Sequence, residues 1–351
     1  MAVSVQQFDT LSDGRKVEKI TLANGCGTSV SVLTLGATIQ SLIFADKDIV
    51  LGFDRAAHYF TSGAYIGATV GRVCNRTADG RFTLNGHTYH LVCNEPDRRV
   101  HLHGGAVGLD KKVWEYAVLR EDKDPQVAFS AVSADGEEGY PGNLRLQVTY
   151  TLTEQNELKL EYAVHTDADT PINLTNHAYF NLNGCDGEDI RNTILQIYAE
   201  EYTPVTQRLI PTGVYAPVAN TALDFRKGKT IGEALESEDD TMLYTGGVDH
   251  NFVLCHTRGA LREAAHAYSP VTGIHLRCST DLPGIQVYTA NFLEESGGKY
   301  GLAWGKYQGF CLETQYFANS VNQPNFPSIV VKAGEMYRSC TVYSLSLDRK
   351  E

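Results

Sequence analysis

The sequence lacks the motifs by which nucleotide-dependent enzymes and serine hydrolases are usually recognised. There is no P-loop, and Gly25-Cys26-Gly27 is not followed by the remaining glycines of a dinucleotide fingerprint. No Gly-x-Ser-x-Gly elbow is present, which leaves a serine hydrolase without support. These absences favour redox-neutral chemistry performed by side chains, and we expect neither a cofactor nor a bound metal.

Signals for a membrane or for export are also missing. No apolar run is long enough to cross a bilayer, and the first residues have neither the basic start nor the apolar region of a signal peptide. The formal net charge of −12 disfavours a nucleic-acid backbone or an anionic membrane as a partner. We expect a cytoplasmic protein, a monomer or weak dimer, whose partner is a small molecule.

Cysteine occurs eight times but never in a C-x-x-C pair. The wide spacings suit neither a zinc site nor a compact disulfide framework, so free thiols in a reducing compartment are the better interpretation. Two glycosylation sequons, Asn75-Arg76-Thr77 and Asn173-Leu174-Thr175, support the same compartment. Both fall in segments that we assign below to the candidate site, and glycans there would obstruct it.

Helical patterns are scarce, and strand patterns extend along most of the chain. Short helices are predicted only at 231–236 and 261–267. Asn85-Gly86 separates two strand-like runs and is typical of a two-residue hairpin turn. Further strands are predicted at 29–35, 38–44, 144–152, 158–164, 191–198, 284–292, 309–317 and 337–347. We therefore predict an all-β fold, a large antiparallel β-sandwich formed by one domain over residues 1–351.

The segment 173–184 is rich in amides. It reads Asn-Leu-Thr-Asn-His-Ala-Tyr-Phe-Asn-Leu-Asn-Gly and contains four asparagines. Buried amides need hydrogen-bond partners, so a plain core strand is a poor explanation for this composition. Such neighbours would fix the tautomer and orientation of His177, as acid–base chemistry requires. A single histidine in a polar strand is more often structural, so its role depends on partners elsewhere in the chain.

Two earlier segments offer side chains suited to a polar ligand. Asn75 and Arg76 can donate hydrogen bonds to hydroxyl or carboxylate groups, although a surface ion pair would also explain the arginine. His101 and His103 lie on one side of an extended segment, but no third metal ligand is evident. Hydrogen bonding to a ligand is the better interpretation, with a structural role expected for one of the two histidines, and Gly104-Gly105 would let the backbone approach that ligand closely.

Three polar residues stand beside or within apolar runs in the second half of the chain. Asp249 precedes such a run, where a turn would explain it equally well. Gln286 faces away from its apolar neighbours, and Glu313 lies inside an otherwise apolar strand. An unpaired buried charge is costly, and burial would raise the pKa of the Glu313 carboxyl towards neutrality. Sequence spacing alone cannot bring these residues together with His103 and His177.

Together these segments resemble the aldose 1-epimerases, also called galactose mutarotases. The core Asn-His-x-Tyr-Phe-Asn-Leu around His177 is the most diagnostic piece. Thr77 and Cys74 depart from the family's usual residues but remove no group needed for chemistry. The matching segments follow the family's order and span most of the chain: Gly71–Arg76, Leu102–Gly105, Asn173–Leu182, Asp249–Phe252, Pro283–Leu293 and Leu312–Asn325.

The resemblance implies a galactose mutarotase-like sandwich that interconverts the α and β anomers of free hexoses such as galactose and glucose. It implies that Glu313 is the general base that takes the C1 hydroxyl proton. It implies that His177 is the general acid that protonates the ring oxygen. The residues expected to bind the aldohexose are Asn75, Arg76, His103, Asp249 and Gln286.

Three other functions stay open from the residues alone. A glycosidase could use Glu313 and Asp249 as its two carboxylates, but would leave His177 without a role. A hexose-6-phosphate epimerase would need a further cluster of arginines for its phosphate, and none is seen in the sequence. A non-catalytic sugar-binding module would have no use for a carboxylate in an apolar strand.

Overall fold

The computed structural model describes residues 2–348, and most of its regular structure is strand. Strands β1 to β10 lie at Val3–Thr10, Lys16–Ala23, Ser29–Leu33, Thr38–Phe44, Lys47–Asp48, Thr69–Val70, Arg76–Ala78, Arg81–Leu84, His87–His90 and Val100–Leu102. Strands β11 to β20 lie at Glu115–Arg120, Gln126–Ser133, Leu144–Leu152, Glu157–Thr166, Thr170–Pro171, Thr175–Asn176, Tyr179–Phe180, Ile194–Ile197, Glu201–Thr203 and Ala216–Pro217. Strands β21 to β28 lie at Lys229–Thr230, Asp249–Val253, Arg262–Tyr268, Ile274–Thr280, Gly284–Tyr288, Phe310–Gln315, Val330–Val331 and Met336–Leu347.

Helical structure in residues 2–348 is confined to short segments. The α-helices are α1, Ala56–Thr61, and α2, Ile231–Leu235. Single turns of 3₁₀-helix lie at Pro96–Arg98, Leu109–Lys111, Glu137–Gly139, Ile190–Asn192, Asp240–Met242, Lys299–Gly301 and Ser320–Asn322. Within the described range, none of the helices is both long enough and apolar enough to span a membrane.

Most strands belong to three antiparallel sheets. The largest has nine strands in the order β11-β12-β13-β14-β28-β24-β23-β18-β21. A six-stranded sheet has the order β17-β26-β25-β22-β19-β20, and a five-stranded sheet runs from β1 to β5 in sequence order. Apolar side chains from all three sheets meet in one core, for example Val148, Ile285 and Val32. The prediction of an all-β sandwich is therefore confirmed.

Strand β13 shows how the sequence pattern leads to this packing. Leu144, Leu146 and Val148 are buried, whereas Arg145 and Gln147 are exposed between them. Because successive side chains in a strand point to opposite faces, this alternation places one face of the sheet in the core. The predicted hairpin is also confirmed, with Asn85-Gly86 connecting β8 and β9.

Of the two predicted helices, one is confirmed and one is wrong. The turn of helix at 231–235 begins with a capping box between Thr230 and Glu233. The segment 261–267, by contrast, forms most of strand β23, paired with β18 and β24. Its alanines favour a helix locally, but the segment lies between β18 and β24 in the largest sheet, and pairing with both strands overrides that preference. A bulge between Glu263 and Ala265 accounts for the imperfect alternation that suggested a helix.

Candidate active site

Neighbouring strands of the six-stranded sheet bring four predicted site residues together. Gln286 on β25 pairs directly with Glu313 on β26. Asp249 begins β22, the strand on the other side of β25. His177 lies just before β17, which continues the sheet beyond β26. Directly paired residues in antiparallel strands lie side by side, so the sheet itself sets the separation of these groups.

His177 and Glu313 face each other on neighbouring segments of this sheet. His177 Nε2 lies 3.6 Å from Glu313 Oε1. The two residues are only 5% and 2% exposed, so bulk water does not screen them. Glu313 Oε2 is buried and has no hydrogen-bond partner among residues 2–348. A buried carboxylate with a free acceptor atom can take a hydrogen bond from a bound hydroxyl group.

The asparagines of segment 173–184 hold His177 by bonding to the backbone around it. Asn176 donates to the carbonyl of Gly67 at 2.8 Å and accepts from the amide of Ala178 at 3.0 Å. Asn173 is bonded in the same two-sided way to the backbone of Tyr316. These bonds take the place of a continuous ladder, and the segment contains two short strands, β16 and β17.

His103 is held in one tautomer by Asn75, which lies beside it at the adjoining ends of strands β7 and β10. The backbone amide of Asn75 donates to His103 Nδ1 at 3.1 Å, so the proton of the neutral ring is on Nε2. The rings of His103 and His177 meet edge to face with centroids 5.1 Å apart, and Tyr65 packs on His103. His103 can thus donate one hydrogen bond beside the His177–Glu313 pair.

Arg76 lies between two carboxylates at one side of the site. Its Nε donates to Glu95 Oε2 at 2.9 Å, and its Nη1 lies 3.8 Å from Asp249 Oδ2. Gln286 Nε2 donates to Asp249 Oδ1 at 2.6 Å. Asp249 is therefore oriented from both sides.

A cavity of about 450 Å³ opens over these groups, within the range of small-molecule sites. The predicted site residues that line it are Asn75, Arg76, His103, His177, Asp249 and Glu313. Gln286 instead lies behind Asp249, in a layer of polar contacts adjoining the cavity. The remaining wall includes Tyr65, Tyr179, Tyr288 and Phe292, and Phe292 is exposed at 57%.

Burial shifts the acid–base groups towards their neutral forms. It raises the pKa of Glu313 well above the ordinary value for glutamic acid; the negative charge of Asp249 adds to the effect and Arg76 opposes it. Burial also lowers the pKa of His177 to about 4. The pKa of His103 lies well below its usual value, because of burial and the nearby His177. Between the lowered pKa of His177 and the raised pKa of Glu313, the pair in the free protein therefore carries one proton, which burial favours on Glu313.

The structural role expected for one histidine of segment 101–105 belongs to His101, whereas the expectation for Gly104 needs correction. His101 lies away from the cavity, where its Nδ1 is 2.7 Å from the carbonyl oxygen of Val92 and its Nε2 is 2.7 Å from the Tyr140 hydroxyl. It is structural. The space left by Gly104 is filled by the chain itself, because a Cβ there would lie 1.8 Å from the carbonyl oxygen of Gly71.

His103, His177 and Glu313 also offer one donor atom each within 4.8 Å of one another. This is the group of side chains in residues 2–348 that could hold a metal ion, and Glu313 supplies the third donor that sequence spacing could not reveal. A bound ion would occupy the imidazole nitrogen and carboxylate oxygen needed for proton exchange. Metal binding and acid–base chemistry at this pair are therefore mutually exclusive.

Three contacts were missed from sequence. Cys311 Sγ lies 3.5 Å from His177 Nδ1. Glu95 holds Arg76, and Tyr65 backs His103. Cys311 lies two residues before Glu313 on the same face of a strand, so period-two geometry could have indicated it. Tyr65 and Glu95 lie in irregular segments, where the sequence gives no register.

The family model for aldose 1-epimerases matches residues 18–344 of this chain. Galactose mutarotase from Rattus norvegicus is 43% identical over 343 residues, covering 96% of each chain. Aldose 1-epimerase from Escherichia coli K12 is 36% identical, covering 94% of this chain and 96% of its own. A solved structure of galactose 1-epimerase from Lactobacillus acidophilus superposes with a TM-score of 0.87 at 30% identity, covering 98% of both chains.

Proposed function

The chain belongs to the aldose 1-epimerase family, and we propose that it converts the anomers of D-galactose and D-glucose by proton exchange with Glu313 and His177. The family makes the chain an isomerase that acts on carbohydrates and interconverts sugar anomers. The choice of hexose and the roles of the residues are the proposal. The observation that carries it is the buried His177–Glu313 contact of 3.6 Å in the floor of a cavity.

The proposed reaction moves two protons and leaves the enzyme unchanged. Glu313 takes the proton of the C1 hydroxyl while the C1–O5 bond breaks, so C1 becomes an aldehyde carbon. The ring oxygen takes a proton from His177 in the same step. Rotation about C1–C2 presents the other face of the carbonyl, and reversal of both transfers closes the ring as the other anomer. One group that donates and one that accepts contribute about 10²–10⁴-fold each.

The proton needed by His177 is already on the pair. In the free protein burial favours its location on Glu313, whereas the proposed reactive form has carboxylate and imidazolium. The 3.6 Å separation allows the proton to pass between the two groups without a change in their total charge. A sugar hydroxyl bonded to Glu313 would favour the charged carboxylate, because hydrogen bonds to the ionised form stabilise it.

The surrounding groups suit a neutral, hydroxyl-rich ligand. His103 donates through Nε2, and Asp249 and Arg76 can accept and donate at the cavity wall. Both arginines that line the cavity, Arg76 and Arg98, are engaged by Glu95. A phosphate would therefore find no unpaired guanidinium among the described lining residues, which argues against a hexose-6-phosphate substrate.

Asp249 is also poorly suited to a glycosidase mechanism. Its carboxylate is engaged by Gln286 and Arg76, while Glu313 faces an imidazole. A glycosidase needs two carboxyl groups that flank the scissile bond. We therefore expect no release of reducing sugar from aryl glycosides.

Polarimetry of freshly dissolved α-D-galactose and α-D-glucose tests the proposal. We expect fast equilibration with the wild-type protein and near-background rates with Glu313→Gln and His177→Asn, each folded as judged by circular dichroism. A wild-type rate equal to that of buffer for both sugars would overturn the choice of substrate. Full activity in either folded variant would overturn its proposed role.

A further inference from the structure

We propose that Glu95 is a positioning residue for this reaction, holding the Arg76 guanidinium in the orientation that meets the sugar; this rests on the proposed function. Glu95 receives two hydrogen bonds from Arg76, from Nε at 2.9 Å and from Nη2 at 3.4 Å. A two-point contact fixes the plane of a guanidinium, whereas a single contact leaves it free to rotate. Nη1 is left to face Asp249 and the cavity.

Glu95 is itself held by the turn that leads to His103. The preceding side chain, Asn94, donates to the carbonyls of Leu102 at 3.0 Å and Gly105 at 3.1 Å. Its oxygen accepts from the amide of Leu102 at 2.7 Å. Strand β10, which ends at Leu102, is paired with β7, which begins at Arg76. The anchor of Arg76 and the turn that carries His103 therefore form one connected unit.

The charges at this wall explain why an anchor is needed. Arg76 has carboxylates on two sides, Glu95 in direct contact and Asp249 at 3.8 Å. Burial opposes ionisation of Glu95, but Arg76 and Arg98 outweigh it and lower the Glu95 pKa below its ordinary value. Glu95 is thus a charged partner for Arg76. Without it, the nearest described carboxylate is Asp249, and a closer Arg76–Asp249 pair would withdraw both groups from the sugar.

Kinetic constants distinguish a positioning role of Glu95 from a role in fold stability alone. If Glu95 acts through Arg76, its loss weakens sugar binding equally in the ground state and the transition state. The KM for the sugar then rises while kcat changes little. If Glu95 only stabilises the fold, the melting temperature falls and the KM of the folded fraction is unchanged.

The test uses Glu95→Gln, Arg76→Met and their combination, with Glu200→Gln as the matched control. Glu200 pairs with Arg226 on the surface, so the control removes the same charge from an arginine pair away from the cavity. We expect Glu95→Gln to raise the KM for D-galactose about 10- to 100-fold, the range of a hydrogen bond to a charged group, with kcat within about threefold. Glu200→Gln should change neither constant.

The double variant decides whether Glu95 works through Arg76. In the Arg76→Met background, Glu95→Gln should raise KM no further, because the partner that it orients is gone. Independent effects that multiply in the double variant would overturn the proposal, as would an unchanged KM in Glu95→Gln with a lowered melting temperature. If Arg76→Met fails to fold, Glu95→Asp replaces it. That shorter carboxylate keeps the charge, so the KM of Glu95→Asp should lie between those of the wild type and Glu95→Gln. A KM as high as that of Glu95→Gln would count against the proposal.

A binding measurement separates failure of this inference from failure of the proposed function. Calorimetric titration of D-galactose into Glu313→Gln, with and without Glu95→Gln, requires no turnover. We expect a dissociation constant about 10- to 100-fold higher in the double variant. Equal binding by the two proteins would overturn the role of Glu95 even if the wild-type enzyme is active. An inactive wild-type enzyme would instead overturn the proposed function.

Discussion

Two buried carboxylates in this molecule differ in how well they are bonded. Asp48 Oδ2 accepts from Lys299 Nζ at 2.6 Å, from Ser41 Oγ at 2.9 Å and from the Tyr300 hydroxyl at 3.1 Å. Its other oxygen accepts from the amide of Leu42 at 3.2 Å. Glu313 is more deeply buried, yet one of its oxygens has no partner in residues 2–348 and the other lies 3.6 Å from an imidazole.

The contrast shows that burial alone does not mark a candidate site, whereas Glu313 combines burial with an unused acceptor oxygen and a place in the wall of a cavity. The Asp48 cluster joins β4 and β5 to the turn at Lys299–Gly301, and its lone pairs are used in holding that junction. Glu313 Oε2 has no hydrogen-bond partner among residues 2–348, and the Glu313 side chain lines the cavity in which we expect the sugar to bind. On the proposed function, Asp48 serves stability and Glu313 serves the reaction.

The largest expected effect is the loss of activity on replacing Glu313, the carboxylate with the unused oxygen. Glu313→Gln should lower kcat/KM for D-galactose by about 10²–10⁴-fold, because it removes the proton acceptor. Its melting temperature should stay at or above that of the wild type, because an unpaired buried acid is replaced by a neutral amide. Polarimetry and thermal unfolding on the same preparation give both values. A large loss of stability in this variant would remove the distinction drawn here.

The complementary change should act on stability alone. Asp48→Asn leaves the buried Lys299 ammonium without its carboxylate, which we expect to cost about 3–5 kcal/mol of unfolding free energy. Activity per folded molecule should be unchanged, because the cluster does not line the sugar cavity described above. Urea unfolding followed by fluorescence measures the first quantity, and active-fraction kinetics the second. An unchanged unfolding midpoint would contradict the structural role of Asp48.

A smaller effect is expected from pH, and it concerns the reactive pair. The reaction needs one proton on the His177–Glu313 pair. Below the pKa of His177, about 4, the pair holds two protons, so kcat/KM should fall as the pH is lowered through that value. At the alkaline end the proton is lost as the pH rises through the raised pKa of Glu313, so that loss of activity should lie well above the pH range in which an ordinary glutamate titrates. A rate that falls as the pH is lowered from 7 to 6 would contradict the lowered pKa of His177.

The smallest expected effect is that of metal removal. His103, His177 and Glu313 are close enough to hold an ion, but the proposed reaction uses the last two for protons. Dialysis against EDTA should leave kcat and KM unchanged, and added Zn²⁺ should inhibit by occupying the pair. Loss of activity on dialysis with recovery on adding a divalent ion would assign the carboxylate to metal binding and overturn the acid–base assignment.

The strands and the key carboxylate could be read from the sequence because each depends on a local contrast. The alternation in β13 and the Asn85-Gly86 turn are short-range signals. The burial of Glu313 could be predicted because it lies inside an otherwise apolar strand, where a charge has few structural explanations. The amides around His177 are expected to find hydrogen-bond partners, and Asn173 and Asn176 find them in backbone groups; the His177 ring itself contacts Cys311.

The remainder depends on contacts that no local pattern encodes. The segment 261–267 has helix-favouring residues but is held as a strand by two partners. Gln286 is expected from sequence to bind the sugar, and its side chain donates a hydrogen bond to Asp249, a contact that its position in the sequence does not reveal. Glu95 reaches Arg76 from a turn whose course is set by Asn94, so its importance becomes visible only in three dimensions.

The reacting groups come from distant parts of the chain, since Cys311, two residues before Glu313, touches His177 across 134 positions of sequence. Contacts between such remote segments form slowly, because the intervening chain must first be ordered. Arg76 and His103 also line the cavity, so the site needs residues from both halves of the polypeptide, and the earliest compact states should be inert. Recovery of mutarotase activity after dilution from denaturant should therefore lag behind recovery of the far-ultraviolet circular dichroism signal of the strands. The delay would measure how long the last contacts between the sheets take to form.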